Sequence, residues 1–366
     1  MIRPERVTMI FLGILAVLAV LAVLHLTASI VLPLVTAILV SFVVSPGVSL
    51  LHKKMKIPRP VAISLVMLVL MSLMFLFGLF FYSSVQSLYQ QLPKYSGKFT
   101  AIVSSFLIKF DLPKDFLEEF SWVRTLSASL LALSRQFVDF VRGLILMVLF
   151  LIFLLFERPQ LRPKVRKAFQ TRTTQKIFAI YAHIARQIGK YLTVKLLVST
   201  ATGSLVWLSL VIVGVEFAFL WGVLTFFFNF MPNIGSIIIT IAIETFAILQ
   251  FHPSVAEPAA ALIAMFVIQQ ILGNIVEPTL LGGKLNLSPV VIIFSLVIWG
   301  WIWGVMGMFL AVPLIVAIKI VMENIPFLHP AAILMGTGRP FESSEKKPVS
   351  PEGRNSKEAA ESNENL

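Results

Sequence analysis

Residues 9–51 read MIFLGILAVLAVLAVLHLTASIVLPLVTAILVSFVVSPGVSLL, and His25 is the one ionisable side chain among them. A helix crosses the ~30 Å hydrocarbon core of a bilayer with about 20 apolar residues. The stretch is therefore long enough for two crossings, with a tight turn expected near residues 27–33. Arg3 and Arg6 precede it in the manner of a signal peptide, but no polar segment follows, so the first run reads as a retained transmembrane helix.

The same pattern recurs along the chain. Residues 60–92 carry no charge and hold a third helix, to about Tyr82. Residues 143–156 are apolar, and the helix extends back past Arg142, Asp139 and Arg135. Residues 196–215 form a fifth run. Residues 217–243 contain one break, Met231-Pro232-Asn233-Ile234-Gly235, and residues 258–276 end at Glu277-Pro278. The run 285–318 is too long for one ordinary span. The chain is 58% hydrophobic and 13% charged, with a mean hydropathy of +0.91. A soluble domain carries about 25% charged residues. The composition therefore predicts an all-α, polytopic integral membrane protein with broken or re-entrant segments in its C-terminal half.

Charge orders the runs. The net charge is +12, and the basic residues gather in two places. One holds Lys53, Lys54, Lys56 and Arg59. The other holds Arg158, Arg162, Lys164, Arg166, Lys167, Arg172 and Lys176. Both follow an even number of crossings from a cytoplasmic N-terminus, as the positive-inside rule requires. Lipid orientation explains the charge, and nucleic-acid binding is not expected. The reading divides the chain into helices one to three (1–84), an extracytoplasmic amphipathic segment (85–140), a fourth helix with a basic cytoplasmic loop (141–190), a transport core (191–325) and a cytoplasmic tail (326–366). The tail is polar from residue 341 and is expected to be disordered.

Enzyme chemistry has no foothold. There is no cysteine, and no phosphate-binding G-x-x-x-x-G-K-[ST], H-E-x-x-H or G-x-S-x-G pattern. No cofactor or metal is expected. The informative residues are polar groups at membrane depth beside helix breakers, because broken helices expose backbone groups only where they line a cavity or are buried in protein. Two such places exist, and paired breaks mark substrate sites in secondary transporters. The first carries Asn229, Pro232, Asn233 and Gly235. The second carries Gln270, Asn274, Glu277 and Pro278. Glu277 is either a helix-end carboxylate in water or a coupling group lining a cavity, and Glu244 is the lesser coupling candidate. The asparagines are either interhelical glue or solute ligands. Gly300, Gly304 and Gly307 read as close helix packing.

Taken together, Pro232-Asn233-Ile234-Gly235, Glu277-Pro278 with Gly282, Leu287-Ser288-Pro289-Val290-Val291, and Gly300 to Gly307 followed by Ala311-Val312-Pro313-Leu314 resemble the AI-2E transporter family, also called the autoinducer-2 exporter or PerM-like permease family. Ser236 departs from the proline that the family often places after the first glycine. The resemblance implies about eight transmembrane helices, a prokaryotic cytoplasmic membrane and a homo-oligomer, a pentamer. It also implies export of an autoinducer-2-like solute or sodium–proton exchange. The expected function is a secondary transporter of a small polar solute or cation, the alternatives being a membrane scaffold or assembly factor and a passive channel. Its partners would be the lipid bilayer and that solute.

Overall fold

The computed structural model describes residues 4–109, 122–169, 171–232, 234–282 and 286–337. Asn233, residues 110–121 of the polar segment and the tail expected to be disordered lie outside them. Every regular element among the described residues is helical. In order they are α1 (Pro4–Leu26), α2 (Ala28–Lys54), α3 (Arg59–Lys109), α4 (Trp122–Ala168), α5 (Thr171–Val213), α6 (Ala218–Phe228), α7 (Ile234–Phe251), α8 (Ala256–Ile268), a π-helical segment (Gln269–Val276), α9 (Glu277–Leu281), α10 (Pro289–Glu323) and α11 (His329–Leu334). Among the described residues, six stretches are long and apolar enough to cross a membrane. Their outward surfaces stay apolar, with Phe75, Ile212 and Val290 among the many exposed hydrophobic residues. This is the surface that lipid, not water, covers. The chain is an all-α polytopic membrane protein.

Several boundaries differ from the sequence expectation. The bend between the first two helices is confined to Thr27, and Pro33 continues inside α2. The third helix does not stop near Tyr82 but runs on to Lys109. The fifth begins at Thr171, well before the apolar run, because polar and basic residues carry good helix propensity outside the hydrocarbon.

Two helical hairpins organise the C-terminal half. α6 and α7 form the first. Trp221 of α6 packs on Phe246 of α7 with ring centroids 5.5 Å apart, and the turn brings Gly235 against Phe228. A Cβ at Gly235 would lie 1.8 Å from the Phe228 carbonyl oxygen, so only glycine closes this tip. The second hairpin is α10 itself. The Ser295 hydroxyl donates to the Ala311 carbonyl at 2.9 Å. In a straight helix, residues 16 apart lie about 24 Å apart along the axis. The chain reverses at Trp303 and Gly304, whose φ of +63° belongs to glycine. Gly307 then meets the Trp299 carbonyl, where a Cβ would sit 1.8 Å away. The tip is held from outside: Trp303 Nε1 donates to the Leu24 carbonyl at 3.0 Å and His25 Nδ1 to that of Ile302 at 2.8 Å.

The hairpins open at opposite ends of the molecule. The base of the first is a polar clasp. The Gln250 side chain, near the end of α7, accepts from the Glu216 amide and donates to the Gly214 carbonyl, both at 2.8 Å. Glu216 also binds Lys94 at 2.7 Å and Tyr95 at 2.5 Å, and Lys98 donates to the Gln250 carbonyl. The base of the second lies among Ile188, Tyr191, Leu287 and Ile320, far down α5. There Lys319 donates to the Asn286 carbonyl and the Ser288 amide to that of Met335. Between the two bases the hairpins touch: Phe227 lies tilted against Phe309 and Phe230 meets it edge to face, with ring centroids 6.0 and 6.3 Å apart.

Two tests follow. Gly235→Ala and Gly307→Ala force a methyl group into a carbonyl. Each should lower stability by about 1–3 kcal/mol or more, read as a lower thermal midpoint in detergent, whereas Gly78→Ala, which meets open space, should change it by less than about 1 kcal/mol. The clasp predicts a pH dependence. Burial opposes ionisation of Glu216, but hydrogen bonds from Lys94 and Tyr95 and the charges of Lys94 and Lys98 outweigh it and hold the carboxyl below the usual range. A depressed carboxyl stabilises the fold fully above its unfolded value, about 4.3, and loses that contribution as pH falls through the folded value. Glu216→Gln should therefore lower the thermal midpoint at pH 7, and the gap to wild type should close as the pH drops below about 4.3.

Candidate functional site

Close backbone packing positions the site. α5 and α6 meet through Gly203 and Gly222, where a Cβ on either would come within 2.7 Å of the partner's carbonyl oxygen. With no side chains between them, polar residues one turn further along α5 and two turns further along α6 reach each other. Asn229, at the end of α6, donates from Nδ2 to Ser199 Oγ at 3.0 Å, and both residues are buried. Beside this bond lies a narrow recess between α5, α6, α7 and α8. Thr202, Thr225, Asn229, Ser236, Thr240 and Gln269 supply its polar lining, and Val206, Ile239 and Met265 its apolar wall. Ser199 is 14 residues from the end of α5, or about 21 Å below it, so the recess lies at membrane depth.

The π-helical segment continues the same wall. Its wider turn shifts the register of α8 relative to α9, and such segments gather at functional sites. Gln269 folds back over Gly273, where a Cβ would meet its Nε2 at 2.4 Å. Beyond the segment, Glu277 takes Lys195 of α5 with both carboxylate oxygens, at 2.7 and 2.8 Å. The side chains are 4% and 16% exposed for Lys195 and Glu277 respectively. One turn on, Lys190 donates to the Leu281 carbonyl, the last residue of α9. Lys195 lies about 27 Å along α5 from Val213, near the far edge of the hydrocarbon core.

The expected site residues separate into groups. Asn229, Pro232 and Gly235 gather at the tip of the first hairpin, beside the recess. Gln270 and Asn274 do not join them; they pair with each other on the exposed side of the π segment. Gln269 takes the inward position instead. Glu277 is held by Lys195, and exposed Pro278 opens α9. Glu244 is half-buried on α7, with Oε2 shut from solvent and without a hydrogen-bond partner among the described residues. Gly300, Gly304 and Gly307 shape the second hairpin. Reading the sequence missed Lys195, Ser199, Thr202 and Thr225. The first three recur at the spacing of one helix face, ending on a small-residue contact at Gly203, and that stripe was the available signal. Among the described residues, no cluster of three His, Asp or Glu residues could hold a metal ion.

A polytopic bundle with two opposed intramembrane hairpins, an uncharged polar recess and a buried ion pair defines a class, the membrane transport proteins. The chain matches the AI-2E family transporter over residues 13–327 and belongs to that family. Two similar proteins bear the name Putative transport protein. One, from Borreliella burgdorferi, is 30% identical over 335 residues, covering 92% of each chain. The other, YhhT from Escherichia coli K12, is 32% identical over 346 residues, covering 92% of this chain and 97% of its own. The AI-2 transport protein TqsA of Escherichia coli K12 is 29% identical over 317 residues, covering 85% of this chain and 91% of its own. These relatives are named as transport proteins rather than enzymes, and they agree with a multi-pass protein of the inner membrane acting on small solutes.

The ion pair yields a thermodynamic prediction. Removing one member of a buried pair leaves an uncompensated charge and costs about 3–5 kcal/mol, whereas removing both is far milder. Lys195→Met alone should lower the thermal midpoint strongly, and Lys195→Met with Glu277→Gln should recover most of the loss. A double variant no better than the worse single variant would show that the pair is not coupled.

Proposed function

We propose that this protein is a secondary permease that moves a small polar solute or a cation through the recess by alternating access. The observation that carries the reading is the pair of hairpins that enter from opposite ends and meet at Phe227, Phe230 and Phe309, beside an uncharged polar recess. Each hairpin reaches its neighbours from one side only, so the contact between them can shift access from one end to the other. Backbone at the tips, with Asn229, Pro232 and Gly235, would face the solute together with the recess hydroxyls. An autoinducer-2-like solute is a fitting cargo, since it brings hydroxyl groups to a lining of hydroxyls and amides, and a similar protein is named for autoinducer-2 transport.

The Lys195–Glu277 pair closes the end of the route opposite the clasp, tying α9 to α5. The basic residues Lys53, Lys54, Lys56, Lys164, Arg166 and Lys167 are exposed, and the positive-inside rule assigns their side, with both termini, to the cytoplasm. Opening toward the cytoplasm then requires the ion pair to part. In proteoliposomes with an imposed proton or sodium gradient, the wild type should accumulate autoinducer-2 or sodium. Asn229→Ala and Glu277→Gln should each lower the initial rate at least tenfold without changing insertion. Full gradient-driven uptake in both variants would overturn the assigned route.

A further inference from the structure

Three helices come to one level at the end of α3 opposite the clasp. Ala62 and Ile63, at the start of α3, share a core with Val48 near the end of α2 and with Leu151 and Leu155 of α4. One turn on, the half-buried Arg158 of α4 donates to the Ser45 hydroxyl of α2. Eight residues beyond that bond in each helix, Lys53 of α2 comes level with Arg166 of α4, about 12 Å further out. α2 is 27 residues long, or about 40 Å, against a hydrocarbon core of ~30 Å. Its last turn therefore lies at the depth of the lipid headgroups.

The charge at this level is one-sided. Residues 7–110 contain no Asp or Glu, and residues 140–215 contain only Glu157, which Lys164 holds. Among the described residues, Lys53, Lys54, Lys56, Arg59, Arg166 and Lys167 have no acidic partner. At the same end of the other half the cations are engaged: Lys195 by Glu277, Lys190 by the Leu281 carbonyl and Lys319 by the Asn286 carbonyl. The positive-inside rule places cations on one side of a membrane, but it does not gather them on one flank. Like charges brought together repel one another unless an anion lies among them. Lys56 carries a second sign. It follows the C-cap Met55 with a φ of +56°, a left-handed position that glycine usually fills at a helix end. The lysine charge is kept there despite the backbone strain.

Apolar side chains flank the cations. Leu50 and Met55 at the end of α2, with Phe156 and Leu161 of α4, are exposed. Cations at headgroup depth beside exposed apolar groups match an amphiphile with an anionic head. We propose that this flank of α2, α3 and α4 is a docking surface for anionic phospholipid of the adjoining leaflet. Lysine and arginine hold the phosphates, and the apolar residues hold the upper acyl chains. A soluble anion would answer the charges and leave Leu50, Phe156 and Leu161 uncovered. The surface is independent of what the protein carries.

The test is electron spin resonance of the full-length protein reconstituted in phosphatidylcholine bilayers, with trace spin-labelled phosphatidylglycerol or phosphatidylcholine. The protein-restricted signal should favour phosphatidylglycerol about threefold at low salt, and the preference should fade by about 0.5 M NaCl as the charges are screened. A combined variant with Lys53→Gln, Lys54→Gln, Lys56→Gln, Arg166→Gln and Lys167→Gln should bring the two lipids to near equality. The same lysines changed to arginine should keep the preference, which separates lost charge from lost fold, and Arg186→Gln on α5 should leave it unchanged. Gel filtration and thermal midpoint confirm that each variant is folded. Equal association of both lipids at low salt, or a preference that survives the combined variant, overturns the surface. Loss of the preference in inorganic phosphate, but not in NaCl of the same ionic strength, would overturn it in favour of a soluble phosphate site.

Discussion

Hydrocarbon offers no hydrogen bonds, so each backbone amide and carbonyl at membrane depth must find its partner within the protein. Each of the two hairpin tips breaks a helix there and exposes such groups. The structure answers with contact so close that no side chain fits. Gly235 lies on the Phe228 carbonyl, and Gly307 on that of Trp299. The surroundings add donors from elsewhere in the chain. At the second tip His25, 277 residues earlier in sequence, donates to the Ile302 carbonyl, while the first tip is closed locally, the Met231 amide donating to the Phe228 carbonyl. The polar recess exists because the first of these breaks stops α6 short and leaves Asn229 facing Ser199 inside the bundle.

Charge is placed by the same logic. Lys195 and Glu277 are tolerated at the edge of the core because they hold each other bidentately. The clasp at the opposite end is wetter and uses a larger network, with Lys94, Tyr95, Lys98, Glu216 and Gln250 tied in one cluster. Between these two polar ends the wall of the recess is uncharged. A bundle fastened at both ends and lined by hydroxyls and amides between them has the form of a route with two closures. Among the described residues, the half-buried Glu244 keeps one carboxylate oxygen shut from solvent without a hydrogen-bond partner, a costly arrangement in a low-dielectric setting.

Much of this was legible before any coordinates. Apolar runs without charge dictate membrane helices, since nothing else satisfies a spanning backbone. Proline and glycine beside asparagine marked the first hairpin tip, and the over-long run 285–318 signalled that one span would not suffice. The inward-facing residues were harder to see. Choosing Gln270 over Gln269 depends on the phase of a helix, and the π segment changes that phase by an amount that sequence spacing does not reveal. Lys195 immediately precedes the uncharged run 196–215, and nothing in that run reveals that helix α5 begins 24 residues before Lys195 and carries it into the bundle.

The sequence alone determined the solvent of this protein and the places where its helices break, because hydrophobicity and the backbone limits of proline and glycine are local properties. Its family likewise followed from short blocks in fixed order. Only the tertiary structure decided that the breaks are hairpins opening at opposite ends, that Glu277 is neutralised by Lys195, and that Glu244 is not. Those outcomes depend on which helix lies beside which. Contacts between residues 82 apart in the chain, as Lys195 and Glu277 are, leave no periodicity to read.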